Sequence, residues 1–386
     1  MRLNESFPRE LHLEKLKSSA FVFGPRMTGK TTLLTGLSAT ATFNLLDVDL
    51  ELKYRQSPGF FWEEISALPS KSLVIIDEIQ KIPLLLNYVQ MGMEKLKLKF
   101  ILSGSSARKL KRGGANLLGG RALDLKLHPL TVEEIGSSFK MDLALKYGTL
   151  PKIYQLLVEK EEKEAGRFLR SYITTYIKEE IQLEAITRNL AAFQRFLSVA
   201  GQGNAQIIEF ANISRECSVP MSTVKEYYQI LEDTLLGEFL WPYDRSERKK
   251  ARPKFYFFDC GVIRALQNRL LDPPTPQEKG FLFETWLCRE LVRIRDYEEK
   301  GHSSGLWRKG NHEIDILISG GHGPLLAIEC KSSRAGLDTA TVRAFRDEFP
   351  KVPLWVASLT DEHSRKLESG VEVHSWRKIV QSYRAL

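Results

Sequence analysis

Apolar residues follow two patterns along the chain, apolar strands that alternate with helices and a mostly helical period. Changes between these patterns divide the chain into three blocks. Between residues 17 and 150, short apolar runs alternate with segments of helical period, and the runs are SAFVFGP, FNLLDVDL, SLVIIDE, KFILSGS and ALDLKLHPL. Strands that are apolar on both faces and separated by helices are typical of a parallel sheet covered on both sides. The first block therefore predicts an α/β fold with a parallel sheet.

The second block, from about residue 155 to residue 265, has a mostly helical period. Residues 207–239 predict two helices joined by a Ser-Val-Pro turn, and residues 239–259 predict a hairpin. Two helices with a short turn form a helix-turn-helix. With the hairpin as a wing, the pattern indicates a helical, winged-helix-like domain that binds DNA.

A Pro-rich segment, LLDPPTPQEKG at 270–280, precedes the third block and has the composition of a linker. The block predicts a helix over 281–296, a hairpin in EIDILISGGHGPLLAIECK at 313–331 and a further apolar strand, VPLWVAS. Glycine-rich turn residues between two apolar runs are typical of hairpins. We predict domains at 1–150, 151–269 and 270–386, the last an α/β domain.

Composition narrows the function classes only a little. There is no run of about 18 uncharged apolar residues, and the first residues carry charges throughout, so neither a membrane span nor a secretion signal is expected. Four dispersed cysteines without a C-x-x-C pair indicate reduced thiols in a cytoplasmic protein. The net charge of +8 permits a polyanionic partner such as nucleic acid.

The segment GPRMTGKTT carries the first candidate chemistry. It contains G-x-x-x-x-G-K-[ST] between an apolar strand and a helical run, which is the context that a phosphate-binding loop requires. Backbone N–H groups of such a loop hold the phosphates of ATP, Lys30 would reach the β- and γ-phosphates, and Thr31 would bind Mg²⁺. The predicted nucleotide-binding residues of this loop are Gly24, Pro25, Arg26, Met27, Thr28, Gly29, Lys30, Thr31 and Thr32.

Polar residues at the ends of two later strands complete the predicted ATP site. Asp77 would bind Mg²⁺ and Glu78 would orient and deprotonate the attacking water, although such a pair could instead cap the next helix. Ser103 lies at the carboxyl end of the following strand, where ligands of parallel sheets gather. It would sense the γ-phosphate or the water, or else make only local turn contacts.

GPRMTGKTT, IIDEIQKIP, ILSGSS and LLGGRALDLKLHPLTVEEI together resemble AAA+ ATPases, in particular the bacterial and archaeal group that ends in a DUF4143-type region. The resemblance implies that Arg121 reaches the nucleotide of a neighbouring subunit, unless it is an ordinary surface arginine. It also implies that Pro151, in YGTLPKIY, lies near the base or ribose. The resemblance further implies a homo-oligomeric ring, with a hexamer as the expected form.

Basic residues cluster near the predicted wing. Phosphate contacts come from such side chains, although charge runs are more often simply solvated. Lys254 is also predicted to lie at the tip of this wing. The predicted DNA-binding residues are Lys225, Arg245, Arg248, Lys249, Lys250 and Arg252.

The hairpin at 313–331 carries charges on an otherwise apolar element. Asp315, Glu329 and Lys331 share one face, because side chains two apart on a strand point the same way. Two carboxylates suit Mg²⁺ or Mn²⁺, and the lysine could orient a water, whereas the simpler alternative is a salt-bridged strand face. The set resembles the PD-(D/E)xK nucleases, which implies a further metal ligand at Glu284 and an accessory acid at Glu313.

The leading hypothesis from sequence is an ATP-hydrolysing DNA-processing nuclease that forms a ring, binds duplex or branched DNA and cuts phosphodiesters with Mg²⁺ or Mn²⁺. The alternative is a nucleotide-gated DNA-binding or regulatory ATPase whose nuclease-like domain is inactive. A third possibility is a signalling NTPase with protein partners. The charge pattern does not decide between these.

Overall fold

The computed structural model describes residues 7–105, 118–177, 189–243, 252–334 and 336–386, without the side chains at 176 and 177. The chain forms two compact units. The first contains Met1–Gly136 and Ile230–Leu236, and the second contains Ser137–Gln229 and Gly237–Leu386. The predicted boundaries at 150 and 269 stay a prediction.

A five-stranded parallel sheet forms the centre of the first unit, as the apolar runs predict. Its order is β2-β3-β4-β1-β5, so β4 lies between the strand that precedes the phosphate loop and the strand that ends in the acidic pair. The strands are β1 (Ser19–Phe23), β2 (Ala41–Asn44), β3 (Leu73–Asp77), β4 (Lys99–Gly104) and β5 (Ala122–Lys126).

Helices of the first unit follow the strands, and one of them begins inside a segment that the sequence predicts to be a strand. The sequence predicts one strand in FNLLDVDL, but β2 ends at Asn44 and a helix begins at Val48, because the Asp47 side chain accepts hydrogen bonds from two backbone N–H groups of the first turn of this helix. The α-helices are Lys30–Thr35, Val48–Gln56, Gly59–Ser66, Leu85–Met91 and Val132–Ile135, and shorter helical turns are Leu13–Lys15, Ile79–Lys81, Gly92–Leu96, Leu118–Gly120 and Gly136–Ser138.

The core of the first unit lies between this sheet and its helices. Phe21 and Phe23 stack on each other, and Phe43, Tyr54 and Phe61 pack edge to face. Leu235, which belongs to the returning segment, packs against the same core. The burial of these large rings contributes to the apolar packing of the first unit.

The second unit begins with helices and contains the predicted helix pair and hairpin. The two-stranded antiparallel sheet is β6 (Gly237–Leu240) with β7 (Lys254–Phe257). A winged-helix domain as such stays a prediction. The α-helices are Met141–Tyr147, Pro151–Val158, Glu162–Ser171, Leu190–Gln202, Phe210–Cys217, Met221–Asp233, Cys260–Leu266, Pro276–Tyr297, Thr339–Glu348 and Trp376–Ala385, with a π-helical turn at Tyr172–Ile177.

The C-terminal part of the second unit is a six-stranded mixed sheet of order β12-β13-β11-β10-β9-β8. The 22-residue helix Pro276–Tyr297 begins with a capping box of Thr275 and Glu278 and has mostly buried residues. The predicted hairpin is present as β9 and β10. The strands are β8 (Ser303–Lys309), β9 (His312–Gly320), β10 (Gly323–Lys331), β11 (Leu354–Ser358), β12 (Arg365–Lys366) and β13 (Glu372–Ser375).

Candidate functional site

The phosphate loop connects β1 to the helix Lys30–Thr35, as the motif predicts. Gly29 has φ 91°, a left-handed conformation that side chains other than hydrogen disfavour. A Cβ atom on Gly24 would lie 2.4 Å from the carbonyl oxygen of Leu127, so the loop packs too closely there for any other residue. Lys30 is buried, and its Nζ donates to the carbonyl oxygens of Gly24 at 2.7 Å and Pro25 at 3.1 Å.

The structure brings Thr31, Asp77 and Ser103 together at the carboxyl edge of the parallel sheet. Thr31 Oγ1 donates to Asp77 Oδ2 at 2.7 Å, and Ser103 Oγ donates to Asp77 Oδ1. The backbone N–H of Glu78 donates to Ser103 Oγ at 3.1 Å. Ser103 therefore contacts both residues of the acidic pair, and a hydroxyl beside a carboxylate is a donor set that fits Mg²⁺.

Glu78 has an unusual backbone conformation for a residue other than glycine, with φ 61° and ψ 43°. A non-glycine residue in this region costs about 1–3 kcal/mol, and active sites are among the places where such residues cluster. Its side chain is buried, and its Oε2 accepts a hydrogen bond from Gln80 Nε2. Gln80, which the sequence reasoning did not single out, also donates to Ser105 Oγ at 3.4 Å.

Arg9 is a second residue that the sequence reasoning missed. Its guanidinium donates to the carbonyl oxygen of Thr28, inside the phosphate loop, at 2.6 Å and to that of His128 at 2.7 Å. It also pairs with Glu134 at 2.9 Å. An arginine held by three acceptors fixes the backbone of the loop. No motif around Arg9 in the sequence marks this role.

The roles predicted for Arg121 and Pro151 stay predictions. Arg121 lies directly before β5, is exposed, and pairs with Glu94 at 3.1 Å. Pro151 is the first residue of the helix Pro151–Val158.

A second cluster of ionisable residues is buried in the second unit. Lys254 Nζ lies 2.8 Å from Glu284 Oε1, 2.7 Å from Glu313 Oε1 and 3.0 Å from Asp315 Oδ1. Only 5% of the Lys254 side chain is exposed, against 9% for Glu284 and 12% for Asp315. The predicted place of Lys254 on the wing tip is wrong, because this residue begins β7 and points into the carboxylate cluster.

The remaining predicted residues of the hairpin also lie at this cluster. Lys331 Nζ donates to Glu329 Oε1 at 2.7 Å, and the backbone N–H of Cys330 donates to Asp315 Oδ2 at 2.9 Å. Tyr256, two residues after Lys254 on β7, donates its hydroxyl to Glu284 Oε1 at 2.5 Å. In the described parts of the chain, the buried Glu329 Oε2 has no hydrogen-bond partner.

Burial and like charge shift the pKa values of these groups. Burial, with Asp315 nearby, raises the pKa of Glu284 to about 8 and that of Glu329 to about 7. Burial alone would lower the pKa of Lys254, but Asp315, Glu284 and Glu313 together raise it above its ordinary value. The ammonium group of Lys254 is therefore charged at any physiological pH.

The cluster fits an ammonium group better than a divalent metal. A metal needs several carboxylate oxygens that converge with free lone pairs, but Lys254 Nζ already lies where Glu284 and Asp315 converge. Both oxygens of Asp315 are engaged, one by this lysine and the other by a backbone N–H. Among residues 7–105, 118–177, 189–243, 252–334 and 336–386, no group of three acidic, histidine or cysteine residues has the arrangement of a metal site.

The structure describes two of the six residues that are predicted to bind DNA. Lys225 is exposed on the helix Met221–Asp233, with its Nζ 5.5 Å from the centre of the Phe210 ring. Arg252 is exposed and pairs with Glu209. Arg245, Arg248, Lys249 and Lys250 lie outside the described residues.

A parallel sheet in which one strand lies between the strand before a phosphate loop and the strand that ends in an acidic pair is typical of an ATPase-type nucleotide domain. In agreement, the family model of the AAA domain matches residues 17–136. Two models described as domains of unknown function match the rest: DUF8612 at residues 139–272 and DUF4143 at residues 279–378. The resemblance to AAA+ ATPases with a DUF4143 region is thereby confirmed, and the AAA match supports ATP binding and an ATPase.

The curated proteins similar in sequence to this chain are uncharacterized proteins, so their names indicate no activity. Uncharacterized proteins of Mycobacterium tuberculosis and Mycobacterium bovis are each 26% identical over 280 residues, 70% of this chain and 61% of their own length. This chain thus spans less than two thirds of those relatives. An uncharacterized protein of Haemophilus influenzae is 23% identical over 346 residues, 80% of this chain and 83% of its own length.

Two solved structures match this chain at low similarity. The Aeropyrum pernix Orc1 protein in complex with DNA has a TM-score of 0.33 and 12% identity, over 66% of this chain and 87% of its own. The replication initiator DnaA bound to AMPPCP and single-stranded DNA has a TM-score of 0.31 and 13% identity, over 58% and 84%. These values are too low to support an argument about this chain.

No helix in the described ranges is long and apolar enough to cross a membrane.

Proposed function

We propose that this chain is a nucleotide-gated, DNA-binding ATPase. The observation that carries the proposal is the contact of Thr31 with Asp77 at 2.7 Å, since it joins the phosphate loop to the acidic strand end. When bound there, Mg²⁺ would be held by these two residues and would neutralise charge on the phosphates of ATP. Glu78, the next residue, would accept a proton from the attacking water.

ATP hydrolysis by the full chain tests the first half of this proposal. Glu78→Gln keeps the shape of the side chain but removes the base, so hydrolysis should fall by about 10²–10⁴-fold while ATP still binds. Lys30→Ala should lose ATP binding as well. An unchanged rate in Glu78→Gln would contradict the assignment of this residue as the base.

DNA as partner rests on weaker support, namely the net charge of +8 and the exposed Lys225 and Arg252. Neutralising these two side chains should reduce the affinity for DNA and lower the dependence of binding on salt by about one unit of slope per lost phosphate contact. A Glu226→Gln variant on the same helix surface serves as the control. If DNA neither binds nor changes ATP hydrolysis, a signalling ATPase with protein partners replaces this part of the proposal.

Metal-dependent cutting of DNA is the second candidate function. It is favoured by one observation: Glu284, Asp315, Glu329 and Lys331 belong to one cluster, as the resemblance to PD-(D/E)xK nucleases implies. Lys254 weighs against it, because its ammonium already binds two of the acids. Labelled linear, forked and four-way DNA with Mg²⁺ or Mn²⁺ separates the two cases. Cutting by the wild type that Lys331→Ala abolishes would establish the nuclease.

Assembly into a ring is part of the proposal only through Arg121, whose exposed position permits contact with a neighbouring copy. A guanidinium at a neighbour's nucleotide would stabilise charge on the transferring phosphoryl group. The number of subunits, six by resemblance, is tested by mass measurement with and without ATP.

A further inference from the structure

The buried carboxylate cluster of the second unit contains its own cation. We propose that the Lys254 ammonium is the resident cation of this site and takes the position in which a divalent metal would bridge Glu284 and Asp315. The cluster then serves to hold three chain segments together and not to cut phosphodiesters. The inference rests on the proposed function in one respect, namely that this site does not cut DNA. It does not depend on ATP hydrolysis.

Backbone pairing holds Lys254 in this position. On one side the residue pairs with Leu240 in the β6–β7 ladder, and on the other it forms a bridge with Ile207. A strand residue held on both sides cannot turn its side chain to the opposite face without breaking the register. Lys254 is therefore fixed in the cluster by its neighbours and is not a flexible side chain that happens to approach it.

Three separate elements meet at the ammonium group. Lys254 lies on β7, Glu284 on the helix Pro276–Tyr297, and Asp315 on β9. A structural metal ion joins separate segments in the same manner, by giving each of them one bond to a common charge. The ammonium donates to Glu284 at 2.8 Å and to Asp315 at 3.0 Å, and Glu313 adds an ion-pair contact at 2.7 Å.

Charge makes the lysine necessary. Without it, four carboxyl groups would face, among the residues described, only the Lys331 ammonium and, 4.0 Å from Glu313, the Arg308 guanidinium. Carboxylates buried without a full counter-charge are strongly unfavourable. The acids are Glu284, Glu313, Asp315 and Glu329. Removal of Lys254 should thus destabilise the unit and at the same time free oxygen ligands for a divalent cation.

The test compares the full wild-type chain with Lys254→Met, a substitution that keeps the length and packing of the stem. Mn²⁺ alone, without nucleotide, is titrated by calorimetry, and melting temperatures are measured with and without it. Lys279→Met, which removes a half-exposed lysine elsewhere in the unit, is the matched control. Lys254→Met/Asp315→Asn removes the lysine together with one of the ligands.

We expect Lys254→Met to melt roughly 6–20 °C below the wild type, as for a buried ion pair that has lost one partner. It should bind one Mn²⁺ and recover about 5–10 °C at a hundredfold excess of Mn²⁺ over the dissociation constant. The wild type, Lys279→Met and the double variant should show no such site. ATP hydrolysis of Lys254→Met below its melting temperature should match the wild type, so a failed ATPase proposal is detected separately.

Two results would overturn the inference. The first is one Mn²⁺ bound by the wild type and lost in Asp315→Asn, because the lysine would then not exclude the metal. The second is a Lys254→Met chain that gains no Mn²⁺ site, whether it melts like the wild type or stays unfolded at every Mn²⁺ concentration. The titrations of the wild type and of Asp315→Asn decide the first point without Lys254→Met, even if that variant folds poorly.

Discussion

Substitution of Glu284 by glutamine should flatten the pH dependence of the stability of the second unit. Burial raises the pKa of this carboxyl group from 4.5 to about 8 in the folded chain. Between these values the folded state holds a proton that the unfolded state has released. The stabilising contribution of Glu284 is therefore complete below pH 4.5 and is lost as the pH rises through 8.

The magnitude follows from this linkage. One proton of difference gives a slope of at most about 1.4 kcal/mol per pH unit, so the free energy of unfolding should fall by about 1–3 kcal/mol from pH 5.5 to 7.5 on account of Glu284. Glutamine keeps an acceptor for Lys254 and Tyr256 but does not titrate. The variant should retain a smaller slope, because burial also raises the pKa of Glu329 to about 7.

Urea unfolding of the full chain at pH 5.5, 6.5 and 7.5 measures this slope. Trp286 is a suitable fluorescent reporter, since it is buried in the second unit against Phe139 and Trp376. Glu368→Gln removes a carboxyl from an exposed position of the same unit and should behave as the wild type. Equal slopes in the wild type and Glu284→Gln would show that this carboxyl group does not hold a proton in the folded state.

Three further expectations concern ATP hydrolysis. Arg9→Ala should raise the KM for ATP about tenfold with a smaller change in kcat, as steady-state kinetics can show, because Thr28 in the phosphate loop loses its charged donor; an unchanged KM would mean that the loop does not need it. Ser103→Ala should lower kcat about tenfold and raise the Mg²⁺ requirement, measured by titration of Mg²⁺ at saturating ATP. Mixing Arg121→Ala with Glu78→Gln should restore part of the activity that each lacks alone if the arginine acts across subunits, and no gain on mixing would refute that role.

The ATP site could be predicted because each of its parts is a short contiguous motif on a strand of the same sheet. The position of β4 between β1 and β3 then brings Thr31, Asp77 and Ser103 together. Arg9 could not be predicted in this way. It lies 19 residues before Thr28 and 125 residues before Glu134, and nothing in the local sequence shows which acceptors the fold will bring to it.

Lys254 shows a different limit. A charge run is one feature in the sequence, so Lys254 is predicted to lie with the basic residues before it. The run of four aromatic residues that follows, Phe255–Phe258, is the signal in the sequence for a buried strand that begins at Lys254. FNLLDVDL is predicted as one strand for a similar reason, because apolar residues continue past Asn44 although Asp47 is a residue type that caps helices.

The return of residues 230–236 to the first unit has a practical consequence for the preparation of fragments. A gene fragment that stops at residue 136 would code for the phosphate loop, both acidic residues and the whole parallel sheet, yet it would lack Leu235. The apolar surface that this leucine covers would face water, and such surfaces favour aggregation. Loss of solubility in that fragment would therefore say nothing about the ATP site, and a fragment with 230–236 appended through a flexible linker is the better starting point.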